Sequence, residues 1–336
     1  RCWDGDTGWT IGGSTDHDSD GCQDSGEDSD DDDDGLSDVA ETVAGTDPLD
    51  PDSDGDGVGD ATEVGDPFNP TDSDMLAGTY DLFLKLYGAR GPVKTGLEFA
   101  GIVEETSGRY RKGERIFGYT HLMKGPKTHR QVLNAKEDCT APIPDSLSFE
   151  QAASIAIAGN SSLVLIDDIA RLSPGQSLLV NGASGGVGVF ALQYAKHRGL
   201  RVSATAGPGQ QDFLEGLGAD EVHDYTRQPF DTLAGPFDAI IDFSNRLKIR
   251  RVRHLLAGSG IFIPADPLKN IIDIAANPLR RQKAGYFLVE EGNAGKLSKA
   301  AALVAEGHIR PEIDSRFPLE EYRKAFERLE SKGRRG

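Results

Sequence analysis

The chain has few of the residues that cross-link or anchor a protein. Its 336 residues include 3 Cys and 2 Trp, and no apolar run approaches the roughly 20 residues that span a bilayer. Three cysteines exclude a disulfide scaffold, although Cys2 and Cys22 could pair in an oxidising compartment. Cys139 stands apart and is predicted to be a small buried apolar side chain. We therefore expect an apolar core and no membrane span.

Basic residues are almost absent before Met75, where the sequence has Arg1 against 22 Asp and 3 Glu in number. The net charge of −19 therefore divides into −24 before Met75 and +5 after it. The acidic segment also has few large apolar side chains, so it cannot bury enough surface to offset chain entropy without help. The remaining 262 residues have ordinary globular composition, and their length predicts two lobes.

One pattern occurs three times in the acidic segment. Each copy has Asp at its first, third and fifth positions, Gly at the sixth, Asp at the ninth and Glu at the twelfth, an oxygen-rich set that suits Ca²⁺. The predicted ligands are Asp16, Asp18, Asp20, Asp24, Glu27, Asp30, Asp32, Asp34, Asp38, Glu41, Asp52, Asp54, Asp56, Asp60 and Glu63. The alternative is a solvated acidic linker. Recurrence of the Gly and Glu positions favours calcium.

Chain breakers replace the helices that would flank an EF-hand loop, at Gly45-Thr46-Asp47-Pro48 and Gly65-Asp66-Pro67. With its repeated Asp-Pro phrases, the segment resembles thrombospondin type 3 and related bacterial calcium repeats. Those families are mostly extracellular. The array stops in mid-unit, because Met75-Leu76-Ala77 follows Asp72-Ser73-Asp74 where a Gly-Asp-Gly would be expected.

A buried strand, Leu178-Leu179-Val180, runs into a glycine-rich turn and then an apolar-faced helix. Such a turn lets the backbone approach an anion and points free helix N–H groups at it, which is typical of dinucleotide pyrophosphate sites. The predicted contacts are Gly182, Ala183, Ser184, Gly185, Gly186, Val187 and Gly188. The alternative is a tight turn in an ordinary parallel sheet.

Strand and helix patterns alternate after this turn, which predicts a doubly wound α/β sheet with its ligand beyond the carboxyl ends of the strands. Predicted strands are 200–205, 221–225, 237–243, 260–264 and 285–289. Predicted helices are 210–217, 246–256 and 296–306.

Several separated motifs resemble the quinone-oxidoreductase branch of the medium-chain dehydrogenase/reductase family. They are Ala183-Ser184-Gly185-Gly186-Val187-Gly188, Gly218-Ala219-Asp220-Glu221-Val222, Phe237-Asp238-Ala239-Ile240-Ile241-Asp242, Gly96-Leu97-Glu98-Phe99-Ala100-Gly101, Gly113-Glu114-Arg115-Ile116-Phe117-Gly118 and Phe317-Pro318-Leu319-Glu320-Glu321. The resemblance covers roughly residues 78–336. It implies an α/β chain with a Rossmann doubly wound parallel sheet and a partial GroES-like β domain, preceded by the irregular acidic calcium-repeat segment.

The resemblance implies a domain division into an acidic segment (1–74), a partial GroES-like catalytic domain (75–160, closed by 308–336) and a Rossmann NAD(P)-binding domain (161–307). A family member would normally have more catalytic domain before Gly78 and a terminal strand after Gly336, so we expect an incomplete active-site wall. The family's Thr beside the nicotinamide corresponds to Ser161. Tyr80 loosely matches a substrate-side Tyr, the alternative being surface packing.

Neither zinc-ligand set of the zinc-dependent relatives is present, and Cys139, His121 and His129 are predicted to be structural or solvent-facing. The resemblance then implies zinc-free chemistry, with hydride passing from NAD(P)H to a quinone or an activated alkene.

The cofactor preference is argued from charge at the end of the second strand. Thr205 and the three residues after it include no acid that would accept from a ribose hydroxyl, so a 2′-phosphate is allowed. Tyr225 resembles the family Tyr that contacts this phosphate, the alternative being strand-end packing. Arg201 and Arg227 are the nearby bases. NADPH is therefore favoured, with NADH as the alternative.

The first hypothesis is an NADPH-dependent, zinc-free quinone or enone reductase that acts on a small molecule, without nucleic acid, as a candidate homodimer. The second is an extracellular calcium-binding spacer or adhesion protein, and the third is a chimeric chain joined near Met75. The compartments conflict, because NADPH is an intracellular cofactor whereas calcium sites of this kind suit the cell exterior.

The calcium hypothesis predicts that millimolar Ca²⁺ orders residues 16–63 of the full chain, because binding offsets the repulsion among carboxylates. Circular dichroism and resistance to protease measure the ordering, and Asp54→Ala should weaken it. An unchanged spectrum at millimolar Ca²⁺ would leave only an acidic tail.

Overall fold

The computed structural model describes Leu49 and residues 96–106, 108–120, 128–129, 131–244, 247–265, 270–287, 292–318, 321–331 and 333–336. Tyr80, His121 and every predicted calcium ligand lie outside these residues. The chain divides into two compact units, Arg1–Gly96 with Phe317–Ala325 and Leu97–Arg316 with Phe326–Gly336. The sheets and the site described below belong to the second unit.

Three short strands form an antiparallel sheet, β1 (Glu98–Ile102), β2 (Arg115–Tyr119) and β3 (Thr140–Pro142), in the order β1-β2-β3. Phe117 and Tyr119 of β2 are almost fully buried. This small sheet fits the partial β domain that the sequence predicts.

Six strands form a parallel sheet in the order β6-β5-β4-β7-β8-β9. They are β4 (Ser177–Asn181), β5 (Arg201–Ala206), β6 (Glu221–Asp224), β7 (Phe237–Asp242), β8 (Leu256–Pro264) and β9 (Lys283–Ala284). All five residues of β4 are buried, as expected of a central parallel strand covered on both faces. The chain runs outward from β4 through β5 to β6, then returns to β7 on the other side of β4. This order confirms the predicted doubly wound sheet and places its switch point between β4 and β7.

Eight α-helices and one π-helical turn accompany these strands in the part of the chain that the structure describes. They are α1 (Phe149–Ser154), α2 (Ala156–Leu163), the π turn (Val164–Ile169), α3 (Gly186–His197), α4 (Gln211–Gly216), α5 (Ile249–Val252), α6 (Ile271–Ala275), α7 (Ala294–Ala305) and α8 (Tyr322–Glu330). Short 3-10 turns occupy Glu137–Cys139, Phe230–Thr232, Arg253–Leu255 and Asn277–Leu279.

Two predicted elements differ from the structure. The helix predicted over 246–256 is wrong at its end, because Leu256 already pairs with Phe237 as the first residue of β8. The strand predicted over 285–289 is wrong for residues 285–287, which belong to no strand, while residues 288 and 289 lie outside the described part of the chain. Pairing with β8 falls on Lys283 and Ala284, and Gly285 lies beyond that strand.

Residues Phe149–Ile169 form a helical run that is long and apolar enough to cross a membrane by length and composition alone. This finding corrects the expectation that no run reaches such a length. However, 61% of its most apolar 18-residue stretch is buried inside the protein. Gly159 on this run lets α7 approach closely, since an added Cβ would lie 2.5 Å from Cβ of Ala300. The run is therefore packed as a core helix in this fold.

The far end of α3 is held by a polar cluster. Tyr194 Oη donates to Asp167 Oδ2 on the π turn (2.6 Å), and Lys299 Nζ of α7 donates to Tyr194 Oη (2.9 Å). Burial, and secondarily the charge of Asp168, raises the pKa of Tyr194 to about 12, so the phenol remains a donor. Arg198 also pairs with Asp167. These contacts tie the π turn, α3 and α7 together.

The near end of α3 packs on the end of β4 through a glycine. An added Cβ on Gly188 would lie 2.5 Å from the carbonyl oxygen of Gly182 and 2.8 Å from Cα of Ala183. Those neighbours are backbone atoms that cannot rotate away. Only glycine allows the helix to lie this close to the turn.

We expect Gly188→Ala to lower the free energy of unfolding by about 1–3 kcal/mol, because the added methyl overlaps backbone atoms. Urea unfolding followed by circular dichroism measures the change. Gly216→Ala in α4 is the control, since an added Cβ there meets nothing within 4 Å and should be neutral or stabilising. Equal midpoints for the two variants would contradict the packing argument.

Candidate functional site

The glycine-rich turn between β4 and α3 presents bare backbone at the sheet's switch point. Gly182 has φ +81°, and the N–H groups of Gly182 and Ala183 both donate to the carbonyl oxygen of Thr205 (3.1 Å each). These two bonds fix the start of the turn against β5. The chain then reverses into α3, whose N-cap is Gly185.

The first turn of α3 lacks a side-chain cap, because the N-cap residue Gly185 has no side chain that could accept from the N–H groups of the helix. Gly185 and Gly186 are both exposed. An added Cβ would have its nearest neighbour 3.6 Å away at Gly185 and 3.7 Å away at Gly186, so side-chain atoms do not fill the turn. Uncapped N–H groups and the helix dipole together favour an anion here. The turn fits the pyrophosphate of a dinucleotide.

A buried hydrogen-bond network joins the ends of three adjacent strands beneath the turn. Asp242 at the end of β7 is fully buried, and its Oδ1 accepts from Asn181 Nδ2 (2.7 Å), Ser244 N (2.9 Å) and Ser244 Oγ (2.6 Å). Its Oδ2 accepts from Leu247 N (3.0 Å). Thr205 Oγ1 of β5 donates to Asn181 Oδ1. The network satisfies these buried groups and fixes the ends of β4, β5 and β7 in register.

Ser161 lies in α2 and is fully buried, and its Oγ has no hydrogen-bond partner among the described residues. Its neighbour Asn160 donates from Nδ2 to Tyr119 Oη (2.8 Å), while Asn160 Oδ1 also lacks a described partner. Unsatisfied buried polar atoms are uncommon, and a bound ligand is one way to satisfy them. No described hydrogen bond joins Ser161 to the turn.

The end of β5 carries the residues predicted to set cofactor preference. The hydroxyl of Tyr225 lies 3.2 Å from the position of an added Cβ on Gly207, and 49% of Tyr225 is exposed. Arg201 begins β5 and therefore lies at the opposite end of the strand. Arg227 Nε is 3.7 Å from Asp224 Oδ2. Of the two bases named from sequence, Arg227 alone lies near this strand end.

A cavity of about 280 Å³ adjoins the first turn of α3. Its lining includes Glu98, Ile155, Gly186, Phe190, Ile313 and Gly336. A larger cavity of about 820 Å³ has Arg109 and Ser298 among its lining residues, and no residue of the glycine turn lines it. We therefore assign the site to the smaller cavity.

Glu98 stands in the wall of this cavity. Its Oε1 accepts a structural hydrogen bond from the backbone N–H of Ile157 (2.8 Å). Water reaches part of the side chain, yet protein atoms crowd the carboxylate. This desolvation raises its pKa to about 7, against the lowering effect of the Ile157 bond. Glu98 therefore holds its proton over more of the acidic range than an ordinary glutamate.

The structure brings together the predicted turn residues and Thr205, and it places Tyr225 beside the loop after β5. Tyr80 and the calcium ligands lie outside the described residues. Sequence reasoning missed the roles of Asn181, Asp242 and Ser244. One signal for this network was present in the sequence, because Asp242 lies near the carboxyl end of a predicted strand, where polar side chains approach the ligand of a doubly wound sheet.

Comparison with known proteins gives the family. The profile described as "Zinc-binding dehydrogenase" matches residues 217–336. A quinone oxidoreductase of Sus scrofa is 30% identical over 275 residues, 77% of this chain and 81% of that protein. The chain belongs to the quinone oxidoreductase family.

Other relatives of this quinone oxidoreductase family member agree. A 2-methylene-furan-3-one reductase of Solanum lycopersicum is 27% identical over 75% of the chain, which spans 62% of that relative's length. The solved quinone oxidoreductase from Coxiella burnetii has a TM-score of 0.69 and 28% identity, covering 77% of this chain and 82% of that one. The Escherichia coli quinone oxidoreductase complexed with NADPH shares the fold, with a TM-score of 0.62 and 22% identity over 76% and 86% of the two chains. These matches place the chain among the NAD(P)H-dependent oxidoreductases.

The family profile names zinc, and the described residues do not fit it. They include no group of three or more His, Cys, Asp and Glu side chains that could hold a metal ion. Cys139 is buried, as predicted. Since His121 lies outside the described residues, zinc independence stays a prediction.

We expect Asp242→Ala to destabilise this quinone oxidoreductase family member by about 2–4 kcal/mol, because donors on Asn181, Ser244 and Leu247 lose their buried acceptor. Chemical unfolding followed by fluorescence measures the loss. Asp242→Asn keeps one acceptor oxygen and should cost less. Asp212→Ala, at an exposed position of α4, is the control. If Asp242→Ala unfolded at the same denaturant concentration as the control, the hydrogen-bond network would not stabilise the fold.

Proposed function

We propose that the chain is an NADPH-dependent reductase of the zinc-free type, acting on a quinone or an activated alkene. The carrying observation is the uncapped N-terminus of α3 on a glycine turn at the switch point of a doubly wound sheet. The relatives support this interpretation, since quinone oxidoreductases recur among them and one is named 2-methylene-furan-3-one reductase.

In this proposal, the backbone N–H groups of Gly186 and Val187 hold the pyrophosphate, because they begin α3 and have no intrahelical partner. Asn181 and Asp242 keep the strand ends beneath the nucleotide in place. Tyr225 and the loop after β5 face the adenosine ribose. The E. coli relative complexed with NADPH supports the choice of cofactor.

When bound, NADPH supplies a hydride to an electron-poor carbon or quinone ring. The chain then has little chemistry of its own to perform, and its task is to hold two flat ring systems together and to exclude water. Ser161 Oγ and Asn160 Oδ1 are proposed to orient the nicotinamide end, because they are the buried polar atoms on α2 that lack described partners. Ile155, Ala158 and Phe190 give the cavity an apolar wall.

The acidic segment carries a second, independent proposal, calcium binding, on the threefold recurrence of its Asp, Gly and Glu positions. An extracellular spacer and a chain joined from two fragments near Met75 remain the alternative interpretations of that segment.

Substitution of Gly185 tests the reductase proposal. Titration of NADPH into the full chain should enhance nicotinamide fluorescence, and Gly185→Asp should abolish the enhancement because a carboxylate at the N-cap occupies the anion position. The same carboxylate should leave folding intact, since Asp is a favoured N-cap and the nearest atom to an added Cβ is 3.6 Å away.

Gly185→Ala is the matched control, because it adds the same Cβ without a charge. We expect it to bind NADPH more weakly than the wild type but measurably, and to unfold at a similar urea concentration. Absence of NADPH binding by the wild-type chain at micromolar protein would overturn the proposed function.

A further inference from the structure

Arg335 and Gly336 lie against the glycine turn and the loop that follows β5. The backbone N–H of Gly336 donates to the carbonyl oxygen of Ser184 in the glycine turn (3.0 Å). The backbone N–H of Arg335 donates to Asp314 Oδ1 (2.9 Å). These two bonds fix the segment against the turn and place the side chain of Arg335 over the loop that follows β5.

The guanidinium of Arg335 lies on this loop. Its Nε donates to Gln210 Oε1 (3.3 Å), and its Nη2 donates to the carbonyl oxygen of Gly209 (3.4 Å). Its Cζ stands 5.1 Å from the ring centroid of Phe213 on α4. Gly209 and Gln210 follow the end of β5 by a few residues, where a doubly wound fold binds the adenosine ribose.

Asp314, which accepts from the backbone N–H of Arg335, does not neutralise the charge of the Arg335 guanidinium. Asp314 is bound by Arg328 through two hydrogen bonds (2.7 and 2.6 Å), and the pKa of Asp314 is held well below its usual range by that guanidinium. Among the described residues, no carboxylate side chain lies within ion-pair distance of the Arg335 guanidinium. Arg335 is exposed, so a ligand can reach it.

We propose that Arg335 is the cation that recognises the 2′-phosphate of NADPH and sets the preference over NADH. The proposal rests on the proposed function. It also supplies what the sequence lacked, because neither Arg201 nor Arg227 presents an unpaired charge at the end of β5. An Arg beside this strand end is the feature that accommodates a 2′-phosphate in such folds.

The test is the dissociation constant of each nucleotide for the full chain, measured by fluorescence and calorimetry at low and moderate salt. Arg335→Gln should weaken NADPH binding roughly tenfold or more, because a charge-assisted hydrogen bond is lost, and change NADH binding less than about twofold. Arg335→Lys should restore part of the NADPH affinity. Adenosine 2′,5′-bisphosphate should follow NADPH, and adenosine 5′-monophosphate should follow NADH.

Arg334→Gln is the matched control, since it removes the same charge from the adjacent residue and should leave the ratio of the two affinities unchanged. Equal weakening of NADPH and NADH by Arg335→Gln would assign Arg335 to loop support and overturn the proposal. If Arg334→Gln lowered the ratio of the two affinities as much as Arg335→Gln does, the preference would come from net charge and not from a specific contact of Arg335, and the proposal would be overturned. A wild-type chain that binds both nucleotides equally would overturn this inference and leave the reductase standing, whereas one that binds neither would overturn both.

Discussion

The approach of α3 to the end of β4 is the constraint on which the site depends. It requires a residue without Cβ at Gly188, because two backbone segments meet there at less than the usual side-chain distance. It leaves the first turn of α3 without a side-chain cap where the strand order reverses between β4 and β7. Helix, turn and sheet edge are thus fixed relative to one another before any ligand binds.

The polar network under the turn complements that constraint. A parallel sheet buried on both faces has few places for a buried charge, and Asp242 is tolerated because four donors surround its two oxygens. The network also explains why strands distant in sequence end at the same level. Catalysis by positioning, as proposed for this family member, needs such rigid support more than it needs a reactive side chain.

Local sequence carried the central motif but not the long-range partners. The run Leu178–Val180 and the spaced glycines after it form a strand, a turn and a helix within about twelve residues. The spacing of apolar residues and the glycines of the turn were therefore sufficient to predict this motif. Arg335 is 126 residues from Gly209 and was out of reach of such reasoning. Arg201 was close in sequence yet begins β5, roughly 16 Å of extended chain from Ala206. The misplaced end of the helix predicted over 246–256 has the same origin, since pairing with β7 overrides helical periodicity at Leu256.

The π turn at Val164–Ile169 has a consequence for how this core accommodates insertions and deletions. Its wider hydrogen-bond spacing, shown by the bond from Ala170 N to the carbonyl oxygen of Leu165, admits one more residue per turn than a regular helix does. Loss of a single residue there would let the run continue as an ordinary helix with the flanking residues on the same faces, because five residues at the wider spacing turn the chain by nearly the same angle as four at the regular spacing. Asp167 lies inside the wider turn, so its bonds to Tyr194 and Lys299 are the contacts that such a deletion would alter. This stretch of the core can therefore vary in length by one residue without rotating α2 relative to the chain that follows it.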